Sequence, residues 1–142
     1  METKFNSQIC TIREQSERLL ALGLKKETAD MHWFYTGKIH GWQCSVQCYQ
    51  DAIAEPFRKE DATNGNIQPA WSLGRLVEMM PNSIHNKRIL AYLTIKNDRV
   101  LYDTIKNETY SAFTNNNGLF AAAVDAVEWL IKEGYFNKEY LV

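Results

Sequence analysis

The sequence predicts an α+β domain, an antiparallel sheet of about four to five strands with three main helices packed on it. A helical segment with both ends marked occupies the middle of the chain, PAWSLGRLVEMMP from Pro69 to Pro81. Two runs rich in β-branched and aliphatic residues, RILAYLTIK and RVLYDTIK, flank the turn pair Asn97-Asp98. A stripe of apolar residues at helical spacing fills the last part of the chain.

Taken in order, the first helix is expected from Thr11, where Thr11 and Glu14 have capping-box spacing. Ile12, Leu19 and Leu20 lie close to one face, and Gly23 is placed to end the helix with Leu24 folding back onto Leu19. After the short KKETAD connection, MHWFYTGKIHGWQCSVQCY reads as two strands around Thr36-Gly37. From Trp42 the residues alternate, with Trp42, Cys44, Val46 and Cys48 on one face and Gln43, Ser45 and Gln47 on the other. Pro56 and the polar KEDATNGNIQ make Ala52 to Gln68 a long surface loop with room for a short helix.

In the central helix Ser72 can cap the first turn and Trp71 can staple onto Leu76. Leu73, Leu76, Val77 and Met80 share a side, and Pro81 stops the helix. Gly74 inside it is expected to mark close helix–sheet packing. After the hairpin a short strand is expected at Thr109 to Phe113, then a helix from about Asn117 to Glu133. Phe120, Ala123, Val127, Leu130 and Ile131 form its stripe and Gly134 its end.

The 142 residues suit one domain, residues 1–142, able to bury roughly two-thirds of the unfolded surface without disulfides or structural metal. Sixteen basic and seventeen acidic residues are interspersed, with no basic stripe of the kind nucleic acid requires. No apolar run approaches the roughly 20 residues that span a bilayer, and METKFNSQIC has no apolar signal core. A soluble protein of the cytoplasm is expected. Cys10, Cys44 and Cys48 are odd in number and lack CxxC spacing, which argues against a secreted disulfide framework.

Motifs for chemistry are missing. His40, Cys44 and Cys48 have metal-ligand residue types, but on a strand positions four apart are separated by about 13 Å, too far for a tetrahedral site. The cysteines then read as small core residues, and no metal or cofactor is expected. There is no GxSxG elbow, HExxH, Walker loop or dinucleotide fingerprint. An acid/base site without a local motif stays open.

Surface apolar groups carry the functional expectation. With the turn at Asn97-Asp98, Ile89, Ala91, Leu93, Ile95, Val100 and Tyr102 share one face of the hairpin. Leu90, Tyr92, Leu101 and Ile105 fall on the other, which is too apolar for an ordinary solvated side. A second helical layer, a homodimer or a protein partner must cover it. Met31, Trp33 and Tyr35 are expected to join Trp42 and Cys44 in the core, leaving His32, Phe34 and Tyr49 outside. Phe34, Tyr49 and Arg75 are therefore further candidates for partner binding. Trp33, Tyr35 and Trp42 are the alternative candidates, as the lining of a ligand pocket.

EQSERLLALGLKKETADM, PAWSLGRLVEMMP and AVDAVEWLIKEGYFNKEYL, in this order, resemble a family of short proteins encoded by bacteriophages and prophages of gut bacteria. TADM with Trp33, and AWSLGRL, carry most of the likeness, which covers about half the chain in three islands. The family has no established activity, so the resemblance implies no catalytic residues. It implies a setting, a phage-derived protein inside a bacterial host. Together these readings predict a non-enzymatic accessory protein that binds a protein partner, or itself as a homodimer. A small-ligand or nucleotide-binding protein that sequesters or degrades its ligand is the alternative.

Overall fold

The computed structural model describes residues 8–55 and 58–142. Pro56, expected to interrupt the middle segment, and most of the leading METKFNSQIC lie outside them. Among the described residues, five α-helices and seven strands make up a mixed α+β architecture. The strands form two antiparallel sheets rather than one. The first has the order β2-β1-β3, from Met31–Tyr35 (β1), Trp42–Ser45 (β2) and Ile67–Ala70 (β3). The second runs β4-β5-β6-β7, from Ser83–Asn86, Ile89–Lys96, Arg99–Thr104 and Thr109–Thr114.

Helix α1 spans Arg13–Ala21. The expected Thr11–Glu14 box does not form, because Thr11 is drawn into tertiary bonds. Its hydroxyl accepts the Trp71 N–H at 3.1 Å and meets Ser16 Oγ at 2.8 Å. Ile12 takes the cap position, and the Gln15 side chain accepts the Ile12 N–H at 3.0 Å. The other end is as expected: Gly23 has φ +98°, its N–H reaches the Leu20 carbonyl, and Leu24 N–H reaches that of Leu19. This is the paired bonding of a Schellman ending.

Ala52–Gln68 is not a long loop. It holds the second half of α2 (Tyr49–Ala54), then α3 (Lys59–Thr63) and the start of β3. Pro69 obscured that strand in the sequence, since proline lacks a ladder donor; β3 is an edge strand, where proline is tolerated. Helix α4 (Leu73–Met79) is capped by Ser72, whose hydroxyl accepts the Arg75 N–H at 3.1 Å. It stops one residue before the expected end, because Pro81 forces Met80 into extended backbone at ψ 139°. Strand β4 was not foreseen; its alternation buries a single apolar side chain, Ile84.

Helix α5 (Leu119–Lys132) is the centre of the molecule. It lies on β6 and β7 and also meets α1 and α4. Its stripe, from Phe120 through Ala123 and Val127 to Leu130, enters the main core with Trp71, Leu76, Val100 and Tyr102. Trp129, off that stripe, packs among the rings of Tyr102, Tyr110, Phe113 and Tyr135 at 6.4, 6.3, 5.5 and 5.6 Å. Arg18 of α1 is tied to α5 by ion pairs with Asp125, at 2.9 Å, and with Glu128. No helix among the described residues is long and apolar enough to cross a membrane.

Candidate functional site

The hairpin folds about Asn97-Asp98 as its pattern required, with Lys96 paired to Arg99, Ile95 to Val100 and Leu93 to Tyr102. This register puts Ala91, Val100 and Tyr102 beneath α5 and turns Leu90, Tyr92 and Leu101 to the opposite face. Leu90 is 38% exposed, Tyr92 43% and Ile105, in the turn after β6, 77%. No helix among the described residues packs on this outer face to the extent that α5 does on the inner one. Leu101 is the exception to the expected exposure. It is only 4% exposed, on an interior strand between its register partners Thr94 and Ala112.

Leu90 and Ile105 come together at one end of this face. With Ile89, Thr104, Arg88, Lys106 and Glu108 they line a shallow cavity of about 300 Å³. The sheet segment from Ser83 to Thr114 carries five basic and three acidic residues, in a chain whose net charge is −1. At this end of the face the apolar Leu90 and Ile105 stand beside the charged Arg88, Lys106 and Glu108.

The first sheet reverses an expectation. Its alternation is as read, with Met31, Trp33 and Tyr35 on the same face as Trp42 and Cys44. But the opposite face, expected outside, is the one that joins the main core through Ile67, Phe34, Tyr49 and Ile53. His32 is 1% exposed and Tyr49 4%. Phe34 is half-buried against the core, with the Arg58 guanidinium 5.9 Å above its ring. Helices α2 and α3, hidden in the polar middle segment, supply this cover. Phe34 and Tyr49 are thus not surface binding groups. The His32 Nδ1–H donates to the Gln47 carbonyl at 2.8 Å, and Nε2 is buried with no partner among the described residues.

The other face keeps a small cluster of Cys10, Met31 and Ala70, with Trp33 and Cys44 against it. The Trp33 indole N–H donates to the Thr11 carbonyl at 2.8 Å. Farther out Tyr35, expected in the core, is 40% exposed, and its ring lies 5.4 Å from that of Trp42. The Arg13 guanidinium sits 3.9 Å over Trp42, and its Nε–H donates to Gln68 Oε1. Trp33, Tyr35 and Trp42 share this face of the sheet, the last two with their rings tilted by 50°. The alternation from Trp42 stops at Ser45, so Val46 is exposed and Cys48 precedes α2 as its cap residue.

A larger concavity, of about 600 Å³, lies elsewhere, along the start of α4. It is lined by Glu27, Asp30, Cys48, Ser72, Gly74, Arg75 and Glu78, among others. Arg75 is no free surface cation there. Its Nε–H donates to the Thr28 carbonyl at 2.9 Å, Nη1 lies 3.3 Å from Glu78, and its guanidinium is 5.7 Å over the Tyr140 ring. Both carboxylate oxygens of Asp30 are bound to Ser72. Gly74 packs closely on nothing; a Cβ there would meet only Ser72 Oγ, at 4.0 Å. Sequence reasoning missed this groove because Glu27–Asp30, Cys48 and Ser72–Glu78 are brought together only by the fold.

Among the described residues no three His, Cys, Asp or Glu side chains converge as metal ligands would. A scan of protein-family models, and comparisons with curated proteins and with solved structures, found no match to the chain.

Proposed function

We propose that this protein is a non-enzymatic accessory protein of phage origin that binds another protein through the outer face of its four-stranded sheet. The observation that carries this reading is the half-exposed pair Leu90 and Tyr92 beside the exposed Ile105. Leaving such side chains in water forgoes roughly 25 cal/mol for each Å² of apolar area that a partner could bury. The chemistry that fits is an apolar projection with an acidic border, entering the cavity between Leu90 and Ile105 past Arg88 and Lys106. A homodimer uses the same face. The setting, the cytoplasm of a bacterial host, rests on the resemblance of the sequence alone.

Affinity capture from the bacterial host tests it, run in parallel with wild type and Leu90→Glu, with light scattering on both. A protein retained stoichiometrically by wild type and lost by the variant is expected, or a wild-type dimer that the variant splits. A wild-type monomer whose captured proteins are unaffected by Leu90→Glu removes the support.

The groove beside α4 favours a second reading, a small polar ligand such as a nucleotide. Its volume falls within the range of small-molecule sites. A thermal-shift screen against nucleotides separates the two, since only this reading predicts a rise in Tm.

A further inference from the structure

Cys10 and Cys44 belong to different elements yet share the small apolar cluster on the first sheet with Met31, Ala70 and Trp33. The segment carrying Cys10 is held there by two backbone acceptors. Thr11 N–H donates to the Trp71 carbonyl at 2.8 Å, and the Trp33 indole donates to the Thr11 carbonyl at 2.8 Å. Trp33 is itself the register partner of Cys44, so the ring that holds Thr11 stands beside the second cysteine. Both thiols are free, and Cys44 packs against the cluster that holds Cys10. Cys48 is outside this cluster, at the position just before α2.

We propose that Cys10 and Cys44 are a reversible redox pair whose disulfide fastens the segment entering α1 onto strand β2. The oxidant is a small-molecule disulfide of the glutathione type. Cys44, the less buried thiol, loses its proton and attacks one sulfur of the oxidant. A mixed disulfide forms, the oxidant's S–S bond breaks, and one glutathione leaves as a thiolate that takes up the proton. Cys10, deprotonated in turn, attacks Sγ of Cys44 and expels the second glutathione. The protein loses two hydrogen atoms and the oxidant becomes two thiols.

Burial pushes both thiols above the usual cysteine range, so little thiolate is present at neutral pH and exchange is slow. The pair stays reduced in a reducing compartment and closes when disulfide accumulates. The bond reinforces a contact already present. Arg13, three residues beyond Cys10, stacks on Trp42, two residues before Cys44. The oxidised protein therefore has Trp42 locked against the start of α1.

The test is incubation of the purified, reduced protein with oxidised glutathione, followed by intact mass and peptide mapping. Expected are a loss of two hydrogen masses without a retained adduct, a Cys10–Cys44 linked peptide, and a Tm raised by roughly 5–10 °C and restored by dithiothreitol. Cys48→Ser should keep the linkage, and Cys44→Ser should abolish it. The mapping of wild type decides the matter by itself if the variant does not fold. A stable glutathione adduct without an internal bond, a bond that includes Cys48, or no reaction overturns the proposal.

Discussion

Asp30 closes on Ser72 with both carboxylate oxygens: Oδ1 accepts the Ser72 N–H at 2.8 Å and Oδ2 the hydroxyl at 2.5 Å. The same hydroxyl accepts the Arg75 N–H and so caps α4. One side chain from the connection before β1 thereby sets the entry angle of the central helix. Ser72→Ala removes the cap and one of the two hydrogen bonds to the carboxylate, leaving the backbone N–H bond, at an expected cost of about 1–2 kcal/mol. Asp30→Ala should cost a similar amount, and the double variant less than the two added together, because the bonds are shared. Urea unfolding of the three variants measures this; simple additivity would mean that the two residues stabilise α4 independently.

Arg18 links α1 to α5, and its guanidinium holds the Glu128 carboxyl below the usual carboxylate range, with Lys132 assisting at 2.9 Å. A depressed folded-state value means that the stabilisation is complete above the unfolded carboxylate pKa of about 4.3 and is lost as pH falls through the lower folded value. The partners are partly exposed, Arg18 by more than a third, so screening limits the contribution to below about 1 kcal/mol. Arg18→Gln should therefore be slightly less stable than wild type at pH 7, and the gap should narrow as the pH drops below about 4. Urea midpoints across that range provide the check. A gap that stays constant through acid would assign the effect to packing of the arginine stem.

Gly74 occupies the first turn of α4 without a packing reason, since an added Cβ would meet only Ser72 Oγ, at 4.0 Å. Gly74→Ala is expected to stabilise the fold by about 0.5–1 kcal/mol, the helix-propensity difference. The methyl group would project into the groove beside Asp30 and Arg75. Loss of stability on this change would show that α4 needs the glycine's backbone freedom.

Much of the architecture is legible locally. Gly23, Ser72 and Pro81 mark helix ends through backbone chemistry that acts within a few residues, and the structure places those ends within two residues of each mark. The Asn97-Asp98 turn fixed the hairpin register, and with it which of Leu90, Ala91, Leu101 and Tyr102 share a face. The burial of those faces was less legible. Leu101 lies on the uncovered face yet is buried, and Ile95 lies on the covered face yet is 40% exposed near the hairpin tip.

What the sequence determined unaided is the α+β class, the three main helices, the hairpin and the alternation of the first sheet. Periodicity and caps are short-range effects that a few neighbouring residues carry. The tertiary structure alone decided that the strands split into two sheets and that α2 and α3 pack on the first of them. It also decided that Trp129 gathers four aromatic rings, and that Cys10 meets Cys44. Each of these depends on residues far apart in the chain, and alternation says which side chains share a face without saying what will lie upon it.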